Sequence, residues 1–181
     1  MSQPAPSSRT VLVTGATSGI GYETARQLAE RGATVLLHGR THEEARAADP
    51  GGRVVNVSSS LHRTASIRWA DPNRARRYSR LAAYAQSQLA LTVFAADPRV
   101  TAVSVHPGTC DTALLPLYGH TGTSAAEGAA HVVRLCDPAT EIVNGAYYDR
   151  DERVDPAPAA TEERTVRRVT RLADLLVGRA A

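Results

Sequence analysis

Apolar residues along this chain recur in two rhythms: short β-branched runs, and longer stretches with apolar positions every three or four residues. Thr10–Thr14 (Thr-Val-Leu-Val-Thr) is a run of the first kind and ends on glycine, as a buried parallel strand does. The stretch that follows to Arg31 places Ile20, Thr24 and Leu28 on one helical face, and Gly32 stands where a C-terminal cap is needed. Ala33–His38 predicts a second strand. Thr41–Ala48 has room for about two helical turns before Asp49-Pro50-Gly51-Gly52 breaks the pattern. Arg53–Ser60 begins a third strand, and Leu61–Ser79 is a polar, arginine-rich connection around Trp69. Arg80–Ala96 predicts a helix, with Leu81, Tyr84, Gln88 and Leu91 at helical spacing. Val100–Val105 predicts a strand, Ala113–Thr123 an apolar loop, and Ser124–Cys136 a helix with Glu127 placed for a capping box. Asn144–Asp149 reads as the last strand. Thr161–Val177 reads as an amphipathic helix with Val166, Val169, Leu172 and Leu176 on one stripe.

Strands separated by helices predict an α/β fold with a parallel sheet, and 181 residues suffice for one domain with a single core. Residues 43% hydrophobic and 22% charged are those of a soluble globular chain, so a cytoplasmic location is expected. The net charge of +3 is modest and its arginines are interspersed with acids, which argues against nucleic acid as a partner. No apolar run reaches the length of a membrane span and the N-terminus lacks a signal-peptide core, so no membrane partner is expected. Met1–Ser8 is expected to be a flexible leader. Cys110 and Cys136 have no metal-binding spacing around them and read as free thiols. All 21 basic residues are arginine, so no side chain can supply an ammonium group.

Two stretches carry chemistry. In Thr14–Gly21, Thr-Gly-Ala-Thr-Ser-Gly-Ile-Gly, a strand runs through a glycine turn into a helix. Gly15 permits the tight turn, Gly19 lets the backbone approach a pyrophosphate, and Gly21 lets helix pack on strand. The helix N-terminus favours the anion. In the second stretch, Tyr84 and Gln88 share a helix face, downstream of the strand ending Val-Asn-Val-Ser-Ser.

These stretches, with His106-Pro107-Gly108 and Asn144-Gly145-Ala146-Tyr147-Tyr148, resemble the short-chain dehydrogenase/reductase family, in its retinol-dehydrogenase-like branch. The resemblance implies a Rossmann-like, doubly wound parallel sheet. It implies a catalytic role for Ser59 and Tyr84, and Gln88 occupies the position of the family's lysine. It implies cofactor contacts from Gly15, Thr17, Ser18, Gly19, Ile20, Gly21, Pro107, Gly108 and Thr112. Arg40 reads either as a contact to the 2′-phosphate of NADP or as a solvated arginine at a strand end. The family's third and fourth strands, its adenine pocket and its catalytic asparagine have no counterpart. The expected sheet therefore has about five strands in the family order 2-1-5-6-7, with Arg53–Val57 directly beside Thr10–Thr14.

Loss of lysine and asparagine shifts the expected chemistry. Gln88 can hydrogen-bond a ribose but cannot stabilise a phenolate by charge. The leading expectation is a non-redox enzyme, of cyclase, isomerase or lyase type, in which Tyr84 and Ser59 polarise a small apolar carbonyl compound. The alternatives are a weakened NADP(H)-dependent oxidoreductase and a non-catalytic binding or regulatory protein. NADP binding is expected to be weak or lost, with no metal. A homodimer is allowed for, and the arginine- and alanine-rich composition suggests a bacterial source and a secondary-metabolic role.

Overall fold

A computed structural model describes residues 9–38, 53–99, 101–117 and 121–176. It divides into two compact units, one built from the N-terminal part with residues 108–137, the other from residues 53–107 with the C-terminal part.

In the first unit, β1 (Thr10–Thr14) pairs in parallel with β2 (Thr34–His38), from Thr10 opposite Thr34 to Thr14 opposite His38. The helix between them, α1 (Gly19–Glu30), carries Arg26 between Glu23 and Glu30 on its outer face, and Leu28 fully buried on the inner one. It ends as the sequence predicts. Arg31 is the last half-helical residue, and Gly32 takes a left-handed φ of 82°. The second helix of the unit, α2 (Ala125–Cys136), starts on the expected capping box. The Glu127 amide donates to Ser124 Oγ at 3.2 Å, and the Ser124 amide donates to Glu127 Oε2 at 2.9 Å. The two helices are tied by Gln27 Nε2 donating to the Ala126 carbonyl at 2.9 Å, over a core of Val13, Ala16, Ala25, Leu28 and Val133.

In the second unit, β3 (Val54–Val57), β4 (Ala102–His106) and β5 (Tyr147–Asp149) run parallel, and β6 (Glu152–Val154) closes the sheet antiparallel to β5. Asn56, Ser104 and Tyr147 stand in register across three strands and so share one face. That face is covered by α3 (Arg80–Ala95), whose Leu91 carbonyl accepts from Asn56 Nδ2 at 3.2 Å. The C-terminal helices α4 (Pro158–Thr161) and α5 (Glu163–Leu176) complete a core of Leu89, Val93, Ala157, Ala160 and Val169.

The Rossmann-like α/β class read from sequence is the one observed. The family order appears as β2-β1 in the first unit and as β3-β4-β5 in the second. One detail differs, the strand β6. The stretch after Asp149 turns back at once through Arg150, whose φ of 54° is the left-handed value a two-residue hairpin needs. The Thr41–Ala48 helix and the Met1–Ser8 leader lie outside the described residues. No helix among those described is long and apolar enough to cross a membrane.

Candidate active site

The glycine turn belongs to the first unit. Gly15 and Gly19 take φ values of 66° and 57°, which side-chain-bearing residues avoid. A Cβ placed on Gly21 would lie 2.3 Å from the Gly15 carbonyl oxygen, so the turn closes only with glycine there. A Cβ on Gly15 would meet nothing within 4 Å, so its outer side is open to a ligand. Ser18 is the extended N-cap of α1. Its side chain makes no capping bond, and the first turn holds no acidic residue. Thr17 and Ser18 are exposed, while Gly19 and Ile20 are half-buried. These are the requirements of a pyrophosphate cradle: close backbone, unspent N–H groups and no competing negative charge. The residues present therefore fit the phosphate part of a dinucleotide. Thr112 is brought to the same place, its methyl 3.3 Å from where a Gly19 Cβ would stand. Gly108 lies in this unit with a φ of 89°. Arg40 lies outside the described residues.

Ser59, Tyr84, Gln88 and Pro107 belong to the second unit. The two serines after β3 divide the work. Ser58 is structural. Its amide donates to the Val105 carbonyl at 2.7 Å, and its hydroxyl is shared between Thr92 Oγ1 at 2.9 Å and the Gln88 carbonyl at 3.2 Å. Ser59 caps a 3₁₀ turn, Ser60–Thr64. Its Oγ accepts from the Leu61 amide at 3.3 Å, which leaves the hydroxyl proton available to a substrate oxygen.

Tyr84 is half-buried on α3, which packs against that turn. Gln88 is buried, and its Nε2 reaches Ser87 Oγ at 3.3 Å. Of the four residues at helical spacing, Leu81 and Leu91 are exposed and Tyr84 is half-buried, while Gln88 is buried with Ala85, Gln86, Leu89, Thr92 and Val93. Tyr84 and Gln88 therefore lie along the border of the buried face.

Three residues that sequence reasoning passed over shape this site. His62 is fully buried three residues after Ser59, in what read as a polar connection. Burial lowers its pKa first, against the opposing effect of its hydrogen bond to the Ser59 carbonyl, and the nearby Arg63 charge lowers it further. Tyr147 is 1% exposed, its ring 4.4 Å from that of His62, and its hydroxyl has no hydrogen-bond partner. Burial pushes that phenol well above the ordinary range, and the negative charge of Asp149 adds to it against the cation of Arg63. Gln86 anchors the loop before α3. Its Oε1 accepts from the Arg68 amide at 3.0 Å and from Arg74 Nε at 2.9 Å, and its Nε2 donates to the Pro72 carbonyl at 2.6 Å. No periodicity marks these residues; only closeness to Ser59 and Tyr84 in the chain could have drawn attention to His62 and Gln86, and Tyr147 lacks even that. His106, at the end of β4, has a buried and unpartnered Nδ1, and burial lowers its pKa. Among the described residues, no group of three or more His, Cys, Asp or Glu is placed to hold a metal.

The family described as short chain dehydrogenase matches residues 9–51. Human retinol dehydrogenase 13 is 30% identical over 168 residues, covering 79% of this chain and 50% of that protein. The chain spans about half the length of the curated relatives it matches. Two solved structures share the fold. An uncharacterized protein from Mycobacterium Paratuberculosis has a TM-score of 0.70 at 22% identity, covering 96% of this chain and 94% of that one. The 3-alpha-hydroxysteroid dehydrogenase from Pseudomonas sp. B-0831, complexed with NADH, has a TM-score of 0.61 at 20% identity, covering 77% and 94%. The expectation of cyclase, isomerase or lyase chemistry finds no support among these relatives. The curated relatives this chain matches are named as dehydrogenases, and the two solved structures show the fold.

Proposed function

We propose that this chain, which belongs to the short-chain dehydrogenase family over the part of its length that matches, is a dinucleotide-dependent oxidoreductase of reduced power acting on a small apolar carbonyl compound or alcohol. The observation that carries this reading is the closed glycine turn, in which Gly21 has no room for a side chain and the outer side of Gly15 is open. A turn so constrained is the cradle a pyrophosphate requires.

The dinucleotide, when bound, supplies or accepts the hydride. The rest belongs to the chain's own residues. Amides of Gly15–Gly21 and the N-terminus of α1 hold the pyrophosphate. Ser59, with a lone pair engaged by Leu61, donates a hydrogen bond to the substrate oxygen and keeps its proton. Tyr84 gives that oxygen a proton in reduction and takes one in oxidation. Gln88 hydrogen-bonds but carries no charge. A cation a few ångströms from a phenolate is worth a few kcal/mol at an effective dielectric of about 20, so roughly two decades of rate are missing. Arg40, which follows His38-Gly39 in the sequence, leans the choice toward NADP(H) over NAD(H). Affinity is reduced because the sequence lacks the family's adenine-binding strands.

Titration of NADPH fluorescence, followed by a panel of aldehydes and ketones with NADPH consumption recorded, tests this reading. Saturable binding with slow turnover that Tyr84→Phe abolishes is expected. Absence of saturable binding by both NADPH and NADH overturns it.

A further inference from the structure

The imidazole of His62 has both nitrogens committed. The Ala157 amide donates to Nε2 at 2.9 Å, and Nδ1 stands 2.8 Å from the Ser59 carbonyl oxygen. An amide N–H can only donate and a carbonyl can only accept, so the ring carries its proton on Nδ1 and donates it to Ser59. Burial favours this neutral form. The same 3₁₀ turn makes a second tie, from Arg63 Nη2 to the Asp155 carbonyl. From below, Tyr147 on β5 packs its ring against His62, and Arg63 lies over that ring at 5.7 Å. The residue whose hydroxyl faces the chemistry is thus fixed through its own carbonyl to a ring, and through the ring to the segment that leads into α4.

We propose that His62 is a positioning residue for Ser59, holding the serine by an Nδ1–H bond to its carbonyl while Nε2 fixes the ring to Ala157. This rests on Ser59 being the hydroxyl that polarises the substrate, as proposed above. Two substitutions separate the two bonds. His62→Asn can place an amide N–H near the position of Nδ1 and keeps the donor to Ser59. His62→Gln can place a carbonyl near the position of Nε2 and keeps the acceptor for Ala157. The Leu61 amide, which donates to Ser59 Oγ, reports the serine's position directly.

The experiment is amide hydrogen exchange by NMR on the full chain and both variants, with kcat and KM for NADPH-dependent carbonyl reduction. In His62→Gln, exchange at Leu61 should rise about tenfold with Ala157 still protected. Turnover should fall about tenfold with KM little changed, as for a displaced transition-state donor. In His62→Asn the pattern should reverse, with Ala157 exposed, Leu61 protected and a smaller loss of turnover. Equal loss of Leu61 protection in both variants, in step with thermal stability, overturns the proposal and makes His62 a core residue only. Should either variant fail to fold, the imidazole nitrogen shifts of the unaltered chain decide. A proton found on Nε2 overturns the proposal and one on Nδ1 supports it. Exchange and tautomer do not depend on turnover. A chain inactive on every carbonyl tested would lose the proposed function, and these measurements would still decide the role of His62.

Discussion

The glycine turn of the first unit and the serine–tyrosine wall of the second use different materials. The turn is made of backbone. Its specificity lies in φ values of 66° and 57° and in a 2.3 Å gap that no Cβ could fill. The wall is made of side chains and the backbone groups they bond: the Ser59 carbonyl held by His62, His62 by the Ala157 amide, and the loop before Tyr84 by Gln86. In the first unit the family pattern is complete from Thr14 to Gly21; in the second, glutamine has replaced the lysine. A backbone cradle tolerates drift at its neighbours so long as its glycines stay. A tuned side-chain pair loses its tuning with a single substitution.

Breaking the turn should have the largest effect. Gly21→Ala forces a methyl carbon against the Gly15 carbonyl, and overpacking of this kind costs about 1–3 kcal/mol. Dinucleotide affinity should fall about a hundredfold in a fluorescence titration, while hydrogen exchange in the second unit stays unchanged. Retained affinity would show that the turn is not where the ligand is held.

Asp97→Asn should do the converse. Asp97 is 4% exposed; its carboxylate accepts from the Arg99 amide at 3.0 Å, from Arg99 Nη2 at 2.8 Å and from Thr170 Oγ1 at 2.9 Å, tying the end of α3 to α5. Hydrogen bonding from Arg99 holds its pKa below the usual carboxylate value, against burial. Hydrogen bonds to a charged group are worth about 1.5–3 kcal/mol, so denaturant unfolding should show a loss of about 2 kcal/mol. Exchange around the glycine turn should not move.

Gln88→Lys sharpens the comparison from the other side. Restoring a cation beside Tyr84 should raise NADPH-dependent turnover by about tenfold or more. The lysine must enter a buried position, which holds the gain below the full two decades. A chain whose turnover does not rise has left hydride chemistry in the second unit while keeping its cradle in the first.

The smallest effect is one of pH. His62 and His106 both lie in the second unit, and burial lowers both pKa values. Unfolded, each protonates near pH 6.5, whereas folded it stays neutral to lower pH. The unfolded chain therefore binds more protons just below pH 6.5, and stability present above that value falls as pH drops through this window. The slope is at most about 1.4 kcal/mol per pH unit for each group. Urea midpoints between pH 7.5 and about 5.5 measure it, and His62→Asn should flatten the slope.

The sequence carried the elements well because their limits are local. Gly32 ends α1 and Ser124 with Glu127 starts α2, each by a bond within one turn. The α/β class followed from strands and helices in alternation. Pairing between strands depends on contacts distant in the chain, and within each unit the parallel neighbours are the expected ones, β2-β1 and β3-β4-β5. The β5–β6 hairpin was missed because its turn uses a left-handed arginine instead of the usual Asn-Gly. At the site, Ser59, Tyr84 and Gln88 stood in a familiar spacing. His62 and Tyr147 did not, because a buried polar residue is identified by what surrounds it, and here that includes an amide 95 positions along the chain.

Gln86 has a practical consequence for mutational scanning. It sits between Tyr84 and Gln88, and it anchors the 66–76 loop through three hydrogen bonds without pointing toward any proposed chemistry. A scan scored on activity alone would rank its alanine variant beside that of Tyr84 and enlarge the apparent active site by one residue. Limited proteolysis separates the two. Gln86→Ala should open the arginine-rich loop to trypsin, whose targets there include Arg74, Arg76 and Arg77, whereas Tyr84→Phe should leave the digestion pattern of the parent chain unchanged.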